Sequence, residues 1–185
     1  MTTALAALDA VVVTWGEHGE KRYALGEILR LPGKTPQLDS NLPPGELIIA
    51  VEIPPFAGLS HYLKARDRAS YAFALVSCAV AIDLEDGKIT RARIALGSVA
   101  HRPWRTPTAE AMLQGQSPSV ELFTAAAELA LQGARTYAMN GFKVPLAKAL
   151  IRRALLETTG LKPLQGPAGT AFAASVGGHA IHNLE

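Results

Sequence analysis

The chain has 185 residues, 49% of them apolar and 18% charged, with a formal net charge of +2. This composition allows a packed core and argues against disorder, and the charge is too small to suggest nucleic acid or an anionic membrane surface as a partner. A lone cysteine, Cys78, excludes an intrachain disulfide and a cysteine-built zinc or iron–sulfur site. It falls inside an apolar run, where a buried, inert thiol is expected. No stretch approaches the roughly 18 consecutive apolar residues of a membrane span, and Met1-Thr-Thr-Ala-Leu lacks the basic start of a secretory signal.

In chain order, Asp9–Trp15 is β-branched and ends at Gly16-Glu-His-Gly19, after which Lys21–Leu25 resumes, the pattern of a hairpin. Gly33-Lys-Thr-Pro36 and Asn41-Leu-Pro-Pro-Gly45 read as loops. Leu47–Ile53 is a strand that Pro54-Pro55 must stop, because proline removes ladder donors. A second unit begins near Phe56. Ser60–Ala65 and Ala72–Leu84 are expected strands, and Asp86-Gly87 predicts a hairpin into Ile89–Val99. In that last strand Arg91 and Arg93 alternate with Ala92, Ile94 and Leu96, which predicts one wet and one buried sheet face.

After Pro107 the pattern turns helical. Thr108 is the expected N-cap for Ala109–Leu113, and Ser119 for Val120–Gly133, with Leu122, Ala126, Leu129 and Ala130 as its apolar stripe. Pro145–Thr158 carries Leu146, Leu150, Ile151, Ala154 and Leu155 on one side, with Lys148, Arg152 and Arg153 opposite, and Gly160 ends it. Strands followed by helices predict an α+β fold, a three-stranded antiparallel sheet with three helices on one face. Leu161–Glu185, rich in Gly, Ala and Pro, reads as a loosely attached tail.

The densest chemistry is Lys64-Ala-Arg-Asp-Arg-Ala-Ser-Tyr71. One reading is a solvated turn in which Asp67 pairs with Arg66 or Arg68. The other is an anion or cofactor clamp, with Lys64 a flexible point charge, Arg68 a planar fork and Tyr71 a stacking group. Residue types alone leave both open. His101-Arg-Pro-Trp-Arg105 is either an exposed loop over a sheet edge or an interface anchor. His179 and His182 lack further ligands nearby for a metal. No P-loop, Gly-x-Gly-x-x-Gly or Ser–His–Asp arrangement is present, so the residues reveal no autonomous active site.

An ordered set of segments carries a resemblance. It comprises Ala6–Ala10, Leu31–Pro36, Leu42-Pro-Pro-Gly-Glu-Leu-Ile-Ile-Ala-Val-Glu-Ile-Pro54, Lys64–Tyr71, Ala72–Asp83, Ile94–Arg105 and Asn140-Gly-Phe-Lys-Val-Pro-Leu146. Together they resemble the C-terminal part of the FAD-binding subunit of the xanthine dehydrogenase and aldehyde oxidoreductase family of molybdenum hydroxylases.

The resemblance implies that residues 1–55 are a β-rich remnant of a PCMH-type FAD-binding domain. Residues 56–160 would be a CO dehydrogenase flavoprotein C-terminal-like domain, and 161–185 a tail. It implies FAD, with Leu47 and Ile48 along the flavin, Lys64 near the isoalloxazine edge and Arg68 in a loop that modulates access. It implies an iron–sulfur subunit with [2Fe–2S] clusters and a molybdenum-cofactor subunit as partners, and neither nucleic acid nor membrane. The location implied is the cytoplasm, or the periplasm if a partner carries the export signal. The Gly-rich loops that hold FAD pyrophosphate in the family are missing, so a flavin-free interaction or assembly module is the alternative. An unrelated small-anion binder using Lys64 and Arg68 is a third.

Overall fold

The structure is a computed structural model that describes residues 1–161. Two antiparallel sheets share a short helix between them, in an α+β arrangement. The first sheet has the order β2-β1-β3, from β1 (Val11–Gly16), β2 (Gly19–Ala24) and β3 (Leu47–Glu52). The second has the order β4-β5-β6-β7, from β4 (Leu59–Ala65), β5 (Val76–Glu85), β6 (Lys88–Gly97) and β7 (Trp104–Arg105). Helix α1 (Thr2–Ala7) lies between the sheets and α2 (Leu25–Ile28) accompanies the first, while α3 (Pro107–Leu113), α4 (Val120–Ala130) and α5 (Lys143–Thr159) cover the second.

The second unit is built as its residue pattern dictates. The hairpin β5–β6 turns at Asp86 and Gly87, both with positive φ, the requirement that selects an Asp-Gly pair. Val76, Cys78, Val80 and Ile82 of β5 join Ile89, Ala92, Ile94 and Leu96 of β6 beneath the helices. From α5 come Leu146, Ala147, Leu150, Ile151, Ala154 and Leu155, one apolar stripe at helical spacing, and Gly160 closes the helix in the left-handed region. Cys78 is buried, and burial pushes its thiol up to about 12, so it is protonated and unreactive at neutral pH.

The structure corrects several expectations. The three expected strands are joined by β7, a two-residue edge strand inside the segment read as a loop, with Leu96 opposite Trp104. The N-cap of α3 is Thr106 rather than Thr108, because Pro107 takes the first helical position, where its fixed φ suits and its missing N–H costs nothing. Ser119 does cap α4, its hydroxyl accepting from Leu122 N at 3.1 Å. That helix stops at Ala130, three residues before Gly133, and its buried side is Phe123, Ala126 and Ala127, so Leu129 lies off the stripe. Strand β5 begins at Val76, not Ala72, because β4 ends at Ala65 and leaves 72–75 no ladder partner.

The face expected to be wet is partly covered. Ser77, Ala79, Ala81, Ala95 and Gly97 keep it low, and α1 lies on it with Ala7 packed on Ala79 and Ala95. The approach is so close at Gly97 that an added Cβ would meet the Ser77 and Thr3 hydroxyl oxygens at 2.4 Å. From the same helix, Leu5 and Ala6 pack with Val12, Leu25 and Ile28 of the first unit. Thus α1 is the joint between the sheets. The tail beyond Leu161, with His179 and His182, lies outside the described residues.

Candidate functional site

The two pairs of residues singled out in sequence lie on different sheets. Leu47 and Ile48 open β3, an edge strand paired with β1 on one side only. All six of its residues are exposed, Leu47 at 69% and Ile48 at 47%. A strand reading Leu-Ile-Ile-Ala-Val-Glu is an exposed apolar patch on a sheet edge.

The entry to β3 is set by Glu46, which precedes Leu47. Its carboxylate is 5% exposed and accepts from Lys21 Nζ, from the Thr14 hydroxyl at 2.7 Å and from the Tyr23 hydroxyl at 3.1 Å. The lysine bond first, then the threonine bond, holds the Glu46 carboxyl below its ordinary value. An added Cβ at Gly16 would sit 2.8 Å from Glu46 Cγ, so the glycine makes room for the carboxylate stem. The role of Glu46 was not visible in sequence, since its partners come from two other strands.

Lys64 and Arg68 stand together at the end of β4. Lys64 lies opposite Ser77 on the face that α1 shares, with an exposed side chain. Arg66–Leu75 is a loop rather than a paired turn. Asp67 forms no ion pair with Arg66 or Arg68 among the described residues, against the first sequence reading of this block. The Arg68 guanidinium instead donates to the Tyr71 carbonyl. Tyr71 has a φ of 51° and, with Phe73, is almost wholly exposed. No hydrogen bond or ion pair among the described residues joins the Leu47–Ile48 pair to the Lys64–Arg68 pair.

A four-membered charge network ties the two units. Asp9, at φ 52° after α1, accepts from Arg93 Nε at 2.7 Å and Arg105 Nη1 at 2.6 Å. Arg105 also donates to both carboxylate oxygens of the buried Glu110, at 2.8 and 2.9 Å, and to the Ala6 carbonyl. The remaining capacity of Glu110 accepts from Ile94 N at 2.9 Å. Burial alone would raise the Asp9 carboxyl, but the two guanidinium groups outweigh it and the net direction is down. Arg93 was read as a strand cation and Arg105 as part of a loop or an interface anchor, and neither reading found Asp9, which lies 84 and 96 positions away in sequence.

A cavity of about 200 Å³ lies between α1 and β4, lined by Ala4, Ala7, Ser60, His61, Tyr62 and Ala79 among others. It is below the size of a cofactor pocket, about 300–1,000 Å³. No cluster of three metal-ligating side chains occurs among the described residues.

Comparison with known proteins decides the family. Residues 61–158 match the CO dehydrogenase flavoprotein C-terminal domain. The chain belongs to this family. It is 44% identical over 159 residues to the aldehyde oxidoreductase FAD-binding subunit PaoB of Escherichia coli K12, covering 85% of this chain and 47% of that protein. Among solved structures, quinoline 2-oxidoreductase from Pseudomonas putida 86 superposes with a TM-score of 0.74 at 26% identity, over 86% of this chain and 55% of that one. The carbon monoxide dehydrogenase of Hydrogenophaga pseudoflava lacking the Mo-pyranopterin moiety gives 0.73 at 26% identity, over 85% and 55%. The chain spans about half the length of the curated relatives it matches. Its membership places the three-helix unit on β4–β7 within a known fold, as the motif order implied.

Proposed function

We propose that this chain is the C-terminal part of the FAD-binding subunit of a molybdenum-containing aldehyde or xanthine-type oxidoreductase. In that role it helps to carry electrons from [2Fe–2S] clusters to FAD and on to an acceptor. The observation that carries the reading is 44% identity, over 85% of this chain, to a FAD-binding subunit of an aldehyde oxidoreductase. In this reading residues 1–55 complete a flavin domain and 56–160 form the C-terminal domain. The molybdenum cofactor and the iron–sulfur clusters belong to partner subunits. The assembled enzyme is cytoplasmic, or periplasmic if a partner carries the export signal. No helix of the described residues is long and apolar enough to cross a membrane.

The residues present suit the ring end of a flavin and not its pyrophosphate. Exposed Leu47 and Ile48 offer an apolar wall, and Lys64 with Arg68 offers positive charge. No Gly-rich phosphate cradle is present in the sequence. Bound FAD supplies the redox chemistry. Leu47 and Ile48 would offer the bound ring an apolar surface that excludes water. Lys64 would bring a positive charge to the ring end of the flavin, an attraction for negative charge that strengthens as a site is desolvated. Arg68, tethered to the Tyr71 carbonyl, keeps a second cation at the loop that limits access. Glu46, through Lys21, Thr14 and Tyr23, keeps the start of β3 in place.

The alternative reading is a flavin-free interaction or assembly module. The two are separated by the visible spectrum of the full chain after incubation with FAD and desalting, alone and with the N-terminal half of a flavin subunit supplied in trans. Flavin retained in either sample supports the first reading. Colourless protein in both, with the two halves associated, supports the second. A wild-type chain that binds neither flavin nor the other half sinks both.

A further inference from the structure

The Leu47–Ile48 pair and the Lys64–Arg68 pair lie on different sheets, so the gap between them is set by how one sheet is seated on the other. Apolar packing through α1 holds the sheets together, but it is non-directional and fixes no angle. Hydrogen bonds do have direction. Among the described residues, every hydrogen bond between residues 1–58 and 59–161 is donated by an arginine of one segment, the strand β6 and the turn into β7.

Arg93 and Arg105 converge on Asp9, where the chain leaves α1 for β1, and Arg105 Nη1 also takes the Ala6 carbonyl at 2.8 Å. Arg102 Nη1 donates to the Leu29 carbonyl at 3.3 Å and the Gly26 carbonyl at 3.4 Å, acceptors left open at the end of α2. A further arginine of β6, Arg91, lies over Phe56 in the connection from β3 to β4, with Cζ 5.5 Å from the ring centroid. The first unit is therefore gripped at three separate elements, which restrains rotation as well as separation. A guanidinium suits this role, because its donors lie in one rigid plane and can serve several acceptors at once. The segment His101-Arg-Pro-Trp-Arg105 thus anchors one part of the chain to the other.

We propose that Arg93, Arg102 and Arg105 are positioning residues that, through Asp9 and the α2 carbonyls, set the spacing between the apolar wall at Leu47–Ile48 and the cations at Lys64–Arg68. This rests on the function proposed above, in which none of the three arginines touches the flavin. Loosening the seat leaves both walls intact and changes only their spacing. Lys64 then stands farther from the ring, and its attraction for negative charge weakens with distance.

The test uses two full-length variants that spare the cores. R102A removes two bonds to backbone carbonyls, and D9A removes an acceptor while Arg105 keeps Glu110. R153A, which removes a guanidinium paired within α5, is the control. Nitroxide labels on Glu17→Cys and Glu85→Cys, one in each unit, report the distance between the sheets without flavin; Cys78 is buried and stays unlabelled. One narrow distance is expected in wild type and R153A, and a broader or shifted one in R102A and D9A. Each chain is then combined with the N-terminal half of a flavin subunit and FAD, and the flavin midpoint potential is measured. R102A and D9A should lower it, as K64A does, with no further fall when K64A is added to either. Distances unchanged in both variants, or already broad in wild type, overturn the proposal whether or not flavin binds. A broadened distance with an unchanged potential also overturns it, leaving the arginines a purely structural role and the functional reading intact. A wild type that retains no flavin with the N-terminal half overturns the flavin reading and the positioning role together.

Discussion

The two sheets of this molecule were built under different conditions. The β4–β7 sheet is largely closed: helices α3, α4 and α5 cover one face and α1 lies on part of the other, so most apolar positions of β5 and β6 are buried. The β2-β1-β3 sheet is open: the middle of β1 is buried, but every residue of β3 is exposed and its outer edge is unpaired among the described residues. The first arrangement can fold on its own contacts. The second is held mainly by its neighbours, through α1 and the Asp9 network. Stability and partner binding should therefore divide between the two regions, and substitutions can test whether they do.

The largest effect should come from Phe123, the largest of the fully buried side chains, at the contact of α4 with the core. Phe123→Ala is expected to cost about 3–5 kcal/mol by lost burial plus the cavity left behind. Urea unfolding followed by circular dichroism checks this. A loss under 1 kcal/mol would mean that the second unit is not the source of stability.

Next comes the joint. Glu110→Ala removes two acceptors of Arg105 and the partner of Ile94 N, leaving a part-buried guanidinium with Asp9 and the Ala6 carbonyl, and should cost about 2–4 kcal/mol. Asp9→Ala should act more locally. Amide exchange in β1 and β2 should speed up, while protection in β5 and β6 stays as in wild type. Equal acceleration in both sheets would show that they unfold as one unit and erase the contrast.

Acid should act on the same joint. Asp9 and Glu46 have folded values below their ordinary carboxylate values, so the folded state binds protons less readily than the unfolded one. Their contribution is complete above the ordinary carboxylate range and is lost as pH falls through the lowered folded values. Stability is therefore expected to be flat between pH 6 and 8 (on the order of two units above the carboxylate range) and to decline on acidification. D9N should show a shallower decline than wild type. A parallel decline in the variant would place the acid sensitivity elsewhere.

What could be read from sequence follows the same division. Local signals survived folding: Asp86-Gly87 turned a hairpin, Ser119 capped α4, Gly160 ended α5, and the stripe from Leu146 to Leu155 faced the core. Signals that depend on distant residues did not show. The helix α1 is six residues long, too short to be stable without the alanine floor of Ala79 and Ala95 that it packs on. Strand β7 is two residues that pair only because β6 passes beside them. The Glu46 clamp and the Asp9 network draw partners from strands far away in sequence, so neither leaves a pattern of spacing. Leu47 and Ile48 were picked out by resemblance, and Lys64 and Arg68 by residue type as well as by resemblance. The fold sets Leu47 and Ile48 on an uncovered strand and Lys64 and Arg68 at an exposed strand end, an arrangement that needs further surface to become a site.

The smallest effect is expected where sequence patterning looks most alarming. Ile49 and Val51 are large, β-branched and about half exposed, and a folded chain would normally hide them. Because they are already in water, I49S/V51S removes little buried area, and the isolated chain should change in stability by no more than about 0.5 kcal/mol per substitution. The same pair should matter once the other half of the sheet is present. If an N-terminal flavin half covers β3, placing two hydroxyls there buries polar groups without assured partners and should weaken association by about tenfold or more. Thermal unfolding of the chain alone, set beside titration with the N-terminal half, reads both effects on one protein. A variant that melts much earlier on its own would show that β3 already has cover, and that the open sheet is closed by part of this chain.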